Sequence, residues 1–256
     1  MIANYHTHTT RCRHAKGSEE DYVRCAIESG KQILGFSDHT PYPFPEGYYS
    51  HMRMFPDQLT DYIETVQKMR KQYASQIQIH LGLEVEYYPA HFGDLMQWIR
   101  DTDVEYMLLG QHWIGNEQNE PWSGAPTEDE AVIRRYCAQA RDAMQTGLFT
   151  YFAHPDLINY VGDDRTYTSY MRALCQEANS CQVPLEINIL GLQGNRSYPN
   201  PRFWEIAAEE NCQVIIGCDA HEPQSLLDIQ AEEKALALVN RFHLNLLNTV
   251  PLRSVR

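Results

Sequence analysis

Ile2-Ala3-Asn4-Tyr5-His6-Thr7-His8-Thr9-Thr10-Arg11 sets a short β-like run directly before a turn that carries two histidines. That turn decides between two folds. Strand–helix alternation implies either an open doubly wound sheet or a closed barrel, each with its chemistry at the C-terminal ends of the strands. A dinucleotide-binding open sheet calls for Gly-x-Gly-x-x-Gly after its first strand. Here the position reads His-Thr-His-Thr-Thr-Arg, which disfavours the open sheet.

Working outward, apolar runs with β character recur seven times, each followed by a helical pattern, with no linker or repeat to divide the chain. The strands are expected at Ile2–Tyr5, Ile33–Asp38, Ile77–Glu86, Tyr106–Gln111, Phe149–Ala153, Leu185–Asn188 and Val214–Cys218. Ser18 with Asp21 reads as a capping box, and Gly30 suits the helix C-terminus that follows. Asp57 to Ala74 carries one apolar stripe, Thr127 with Glu130 is expected to open a helix that Gly147 closes, and Pro201 suits a first turn. Further helices are expected over Phe92–Asp101, Tyr167–Ser180 and Leu226–Arg241.

The composition of the 256 residues, 43% hydrophobic and 21% charged, is that of one globular domain and excludes disorder and fibres. A net charge of −13 argues against nonspecific attraction to nucleic acid or anionic lipid, so an anionic substrate needs a local cation. No window reaches the ~20 apolar residues of a membrane span, and a cytoplasmic location is expected. Seven cysteines without a Cys-x-x-Cys pair are expected to be reduced and mostly packing.

The 11 histidines are not spread evenly. Six of the seven expected strands end in His6 and His8, His39, Glu84 and Glu86, His112, His154, or Asp219 and His221. A lone histidine at a strand end is more often a solvated or hydrogen-bonded imidazole than a ligand. Six such endings in one barrel mouth point instead to metal. Imidazole with carboxylate suits Zn²⁺, Mn²⁺ or Fe²⁺, and so many donors imply more than one ion. By strand parity, Asn4, His6 and His8 are expected to share a face, with Ser37, Gly82, Gly110 and Gly217 below the ligands leaving room for the ions. His51, His91 and His243 read as solvated, and His80 as a core imidazole with a hydrogen-bond partner.

Taken in order, His6-Thr7-His8, Ser37-Asp38-His39, Gly82-Leu83-Glu84-Val85-Glu86, Gln111-His112, Ala153-His154-Pro155 and Cys218-Asp219-Ala220-His221 resemble the polymerase and histidinol phosphatase (PHP) superfamily. The resemblance implies an α/β fold, a distorted (β/α)7 barrel of the TIM-barrel kind. It further implies one phosphoesterase domain over residues 1–256 with two to three divalent ions (Zn, Mn or Fe). Carried over residue by residue, it implies one ion on His6, His8, Glu84 and Asp219, a second on Glu84, His112 and His154, and a third on His14, His39 and His221. Glu84 bridges the first two, and Glu84, Asp219 and His221 count among the catalytic groups. Chain length and the phrase Gly35-Phe36-Ser37-Asp38-His39-Thr40-Pro41 are similar to the monofunctional histidinol-phosphate phosphatases.

The implied reaction is hydrolysis of L-histidinol phosphate, a step of histidine biosynthesis, by direct attack of a water acidified between ions. Alternatives are the same chemistry on another substrate, a nucleotide diester or a phosphotyrosine, or a noncatalytic metal-binding module. A small phosphorylated substrate is the expected partner, with neither nucleic acid nor membrane. Arg196, after the sixth strand, is the preferred phosphate clamp, and Arg165, expected in the loop after the fifth, is the second candidate. Glu186 and Asn188 share a strand face and are candidates either for substrate contact or for orienting ligands; Asp38 and Asp156 fit the orienting role. The 40–56 segment, with prolines at 41, 43 and 45 and five aromatic residues, is long enough to wall the substrate site.

Overall fold

The computed structural model describes residues 1–44 and 48–255, so Pro45 lies outside the described residues. Strands β1 (Ala3–Asn4), β2 (Ile33–His39), β3 (Gln78–Val85), β4 (Tyr106–Gly110), β5 (Phe149–Ala153), β6 (Leu185–Asn188) and β7 (Gln213–Gly217) are all parallel and pair in sequence order. Beyond the ends of β1 and β7, Thr7 bridges Ala220, with His8 N donating to Ala220 O at 3.0 Å and Ala220 N to His6 O at 3.2 Å. The ring therefore closes at its C-terminal mouth, as a distorted barrel. At the opposite end a short strand not anticipated from the sequence, β8 (Asn245–Leu246), pairs with the start of β7.

The connecting helices are α1 (Glu19–Glu28), α2 (Leu59–Gln72), α3 (Phe92–Ile99), α4 (Glu130–Gln145), α5 (Asp164–Ser180), α6 (Ile189–Gln193), α7 (Pro201–Glu209) and α8 (Ile229–Phe242). Ser18 and Asp21 form the reciprocal capping box of α1, and Gly30 takes the left-handed conformation at φ +75° after it. The opening of α4 differs from the sequence reading. Asp129 is the cap, accepting from Ala131 N at 2.8 Å, while Thr127 lies a step earlier and pairs with Tyr160 as a β-bridge. An aspartate next to the helix outcompetes a threonine two residues upstream. No helix among the described residues is long and apolar enough to cross a membrane.

Strand alternation divides the core in two. Leu34, Phe36, Leu81, Leu83, Met107, Leu109 and Ile216 face outward into a buried layer shared with the helices. Each such side chain contributes about 1.5–3 kcal/mol. Inside the barrel a smaller cluster, including Ala3, Tyr5, Tyr106, Leu108, Tyr151, Ile215 and Val250, fills the space below the mouth. Ala3 and Tyr5 lie in that inner cluster, so the alternation expected to align Asn4 with His6 and His8 fails. The regular strand stops at Asn4, whose side chain brackets His6, donating to His6 O at 3.1 Å and facing His6 N at 3.4 Å. This local turn re-aims the histidine into the mouth.

The small residues below the ligands also serve a different purpose from the one expected. A Cβ on Gly110 would stand 2.2 Å from Glu84 Oε1, one on Gly217 1.7 Å from Glu186 Oε1, and one on Gly82 2.3 Å from the Tyr106 ring. These glycines make room for side chains from neighbouring strands, which in turn form the floor of the site.

Candidate metal centre

Glu84, 1% exposed, occupies the middle of the mouth near the end of β3. Five imidazoles surround its carboxylate. His39 Nδ1 lies 2.9 Å and His154 Nε2 2.9 Å from its oxygens, His112 Nε2 3.5 Å, and His6 and His8 Nε2 each 3.6 Å. Asp219 forms a second focus, its Oδ1 at 3.1 Å from His8 Nε2, 3.5 Å from His6 Nε2 and 3.4 Å from His221 Nδ1. His14 arrives from beyond the 3₁₀ turn Thr10–Cys12, and its Nε2 stands 2.9 Å from that of His221. All nine expected ligands thus meet at one end of the barrel.

Carboxylates stand behind the imidazoles and fix their orientation. The Nδ1–H of His6 donates to Glu186 at 2.9 Å, that of His8 to Asp38 at 3.3 Å, and that of His112 to Glu86 at 2.8 Å. Since an ionised carboxylate only accepts, each bond places the proton on Nδ1 and turns the Nε2 lone pair inward. Glu186 and Asn188 are 0% exposed; Asn188 Nδ2 donates to Glu186 and to Asp219 at 3.0 and 3.1 Å. Buried behind the ligands, both take the orienting place rather than that of a substrate contact.

His154 and Asp219 adopt left-handed backbone at φ 34° and 51°. Such conformations cost about 1–3 kcal/mol each and persist where function demands a particular aim.

Whether the donors suit metal ions can be judged from what the protein leaves unsatisfied. Nε2 of His6 and His8, Nδ1 of His39 and Oε2 of Glu84 are buried without a hydrogen-bond partner. Each such group costs about 1–3 kcal/mol in a dry interior, a cost that coordination removes. His6, His8 and Asp219, His6, Glu84 and His154, and His14, His39 and His221 each bring three donor atoms within 4.8 Å of one another. The donor set fits the hard-to-borderline ions Zn²⁺, Mn²⁺ and Fe²⁺.

Electrostatics divides the imidazoles. Burial disfavours the charged form of His6, yet Glu186, Asp219 and Glu84 raise its pKa well above the ordinary value; His8 is raised likewise, against burial, by Asp219 and Asp38. Burial and the neighbouring His8 push His39 well down and His221 to about 3. Burial alone would raise Glu84 and Asp219, but the surrounding histidines hold both well below the usual carboxylate range. The metal-free protein therefore carries protons on His6 and His8 near neutrality, while the two carboxylates carry none. His112 is raised too, against burial, by Glu84 and Glu86, and His14 by Cys12, so binding of Zn²⁺ at pH 7 is expected to expel protons from the ligands, and affinity to fall as pH is lowered. Calorimetry in two buffers of different ionisation enthalpy measures the release; a value near zero would contradict this distribution of charge.

A cavity of about 240 Å³ opens over the centre, lined by His14, His39, His112, Asp219 and His221 and walled by Met52, Trp122, Leu157, Leu190, Arg196 and Tyr198. Arg196 Nη1 donates to the buried Tyr198 hydroxyl at 2.7 Å, which holds the guanidinium at the rim. Arg165 is different: it is an exposed residue in the first turn of α5, not in a loop, and does not line this cavity. Of the segment expected to wall the substrate site, Met52 lines the cavity. His80 is half-buried at the far end of β3, its Nε2 2.8 Å from Gln78 Nε2.

Several residues of the site were not singled out from the sequence. Cys12, read as packing, is buried beside His8 and His221; burial would raise its thiol pKa, but hydrogen bonds with His14 and His8 bring it below the ordinary value. Tyr198 and Arg53 likewise carried no motif. Asp156 is buried as expected of a supporting group, but its partner is Asn200 N at 2.5 Å, and burial pushes its pKa up to about 7.

Known proteins bear comparison with this geometry. A curated relative from Deinococcus radiodurans, named a probable histidinol-phosphatase, is 29% identical over 231 residues, 87% of each chain. One of the same name from Schizosaccharomyces pombe is 24% identical over 88% of this chain and 82% of its own. The crystal structure of histidinol phosphate phosphatase from Lactococcus lactis, complexed with zinc, L-histidinol and phosphate, superposes with a TM-score of 0.76 at 18% identity. That superposition covers 99% of this chain and 97% of the other. The PHP domain pattern itself matches residues 4–189. Running from the first strand through the sixth, it takes in most of the strand ends that converge on Glu84, and the chain belongs to the PHP domain family.

Proposed function

We propose that this chain is a metal-dependent phosphomonoesterase that hydrolyses L-histidinol phosphate to L-histidinol and phosphate, with residues 1–256 acting as one phosphoesterase unit. The observation that carries the reading is the ring of five imidazoles around the buried Glu84 carboxylate, several of their donor atoms unsatisfied by the protein. Bound divalent ions, two or three of Zn, Mn or Fe, supply positive charge to the phosphoryl oxygens and acidify the attacking water.

The remaining tasks fall to the chain. His6, His8 and Asp219 would hold one ion, His112 and His154 a second, and His14, His39 and His221 a third, with Glu84 available to the first two. Glu186, Asp38 and Glu86 keep His6, His8 and His112 in the tautomer that can ligate. Arg196 offers its unpaired donors to the phosphate at the rim. Water attacks phosphorus directly, which predicts inversion at phosphorus and solvent oxygen in the released phosphate. The similar relatives named histidinol-phosphatases support the choice of substrate, and the −13 net charge counts against a nucleic acid in its place. All seven cysteines are unpaired, which suits the reducing cytoplasm.

Assaying zinc- or manganese-loaded protein on histidinol phosphate, a mononucleotide, a phosphodiester and a phosphotyrosine peptide tests the proposal. Histidinol phosphate is expected to give the highest kcat/KM by a wide margin. Failure to release phosphate from it in metal-replete protein removes the substrate; failure on every ester removes the phosphoesterase.

A further inference from the structure

Arg53 is 2% exposed, deep for a residue of an irregular segment. All five of its N–H donors are engaged. Nη1 donates to Glu86 Oε2 at 3.0 Å and Nη2 to Glu86 Oε1 at 2.9 Å, a two-pronged pairing with one carboxylate. The other Nη1 proton goes to Thr40 O at 2.9 Å. Nε donates to Glu117 Oε2 at 3.0 Å, and the second Nη2 proton goes to the same oxygen. One guanidinium thus ties together the segments that follow β2, β3 and β4. Glu86 Oε1 is also the acceptor of the His112 Nδ1–H at 2.8 Å.

We infer that Arg53 is a positioning residue that fixes the orientation and tautomer of His112 through Glu86, and at the same time clamps the 48–55 stretch whose Met52 walls the cavity. The geometry on both sides supports this. Glu86 has no freedom to rotate away from His112, because both of its oxygens are held by the rigid fork of Arg53. On the other side, Glu117 Oε1 takes the Tyr48 hydroxyl at 3.2 Å, so the pairing with Glu117 anchors the same segment at two points. The Arg53 guanidinium lies 5.6 Å from the centre of the Tyr42 ring and 5.9 Å from that of Phe44, so two aromatic rings flank it. A lysine has no fork and reaches only part of this set.

The inference rests on His112 being a metal ligand, and its first readouts need no substrate. In zinc-loaded Arg53→Met, metal affinity is expected to fall about 10- to 100-fold, the range typical when a group orienting a ligand is lost. In the metal-free variant the ¹⁵N signals of His112 are expected to pass from a single, exchange-protected Nδ1–H form to a mixture. KM for whichever monoester is turned over rises as well. Glu117→Ala, which frees the segment but leaves Glu86 in place, is expected to raise KM with metal content and the His112 signals unchanged. If Arg53→Met does not fold, Arg53→Lys carries the test: the charge stays, the fork goes, and an intermediate loss of metal is expected. Native metal affinity and an unaltered His112 tautomer in either folded Arg53 variant would overturn the inference, and a lack of activity on histidinol phosphate would not affect these two measurements.

Discussion

Glu84→Ala is expected to reduce kcat/KM by at least about 10³-fold, equivalent to ~4 kcal/mol of transition-state stabilisation, and to strip the protein of most bound metal. The size follows from its place in the sheet. Glu84 lies opposite His39 in the β2–β3 register, and its side chain rests on Gly110 in space that no other residue can enter without displacing it. Among the described residues it is the only carboxylate that reaches His6, His8, His39, His112 and His154 together. Alanine removes a charge that both proposed ions of the first pair share, leaving Asp219 as the remaining carboxylate among their proposed ligands and imidazoles that bring no charge to balance two cations. Glu84→Gln retains the volume and one carbonyl acceptor but not the charge, and is expected to lie between the two. Elemental analysis after dialysis and steady-state rates measure both effects. An alanine variant that keeps its full metal content would show that Glu84 is not the shared ligand.

Much of this centre was legible in the chain because parallel barrels put chemistry where strands end. β5 and β6 fall where the apolar runs place them, and the ligands His39, Glu84, His112, His154 and Asp219 occur at or just beyond the ends of their strands. What stayed illegible depends on contacts distant in sequence. Parity failed at β1 because the backbone after Asn4 bonds to that residue's own side chain instead of continuing a regular ladder. Gly217 reads as spare room, and only the fold shows that Glu186 of β6 lies over it. The tail that carries β8 passes under the barrel, where Val250 joins the inner core and Arg253 Nη2 caps Cys181 O at 2.6 Å. Its short apolar run gives no hint of that position. Arg53 is the clearest case, since nothing in its neighbourhood of prolines and aromatics marks an arginine that meets two glutamates 33 and 64 residues away.

Arg196→Ala is the second large effect, and it should leave the metal in place. The residue follows α6, whose cap is Asn188 Oδ1 accepting from Gly191 N at 3.0 Å, and the same Asn188 donates to Asp219. The rim that carries Arg196 is thereby registered to the metal centre through one buried amide. With Tyr198 taking a single N–H, the guanidinium keeps donors free for two phosphate oxygens, and losing two charge-assisted bonds costs about 3 kcal/mol, ~100-fold in kcat/KM. The division of that loss is informative. If the contact is equally strong in substrate and transition state, KM rises while kcat holds; if it strengthens as charge spreads over the phosphoryl oxygens, kcat falls too. Arg196→Lys is expected to recover only part of the loss, because a point charge cannot reproduce the fork. Arg165→Ala, on the exposed start of α5, is the control that should change nothing. Unaltered kinetics in Arg196→Ala would mean that the phosphate is held by the centre alone, and that a chain of net charge −13 needs no local arginine to bind it.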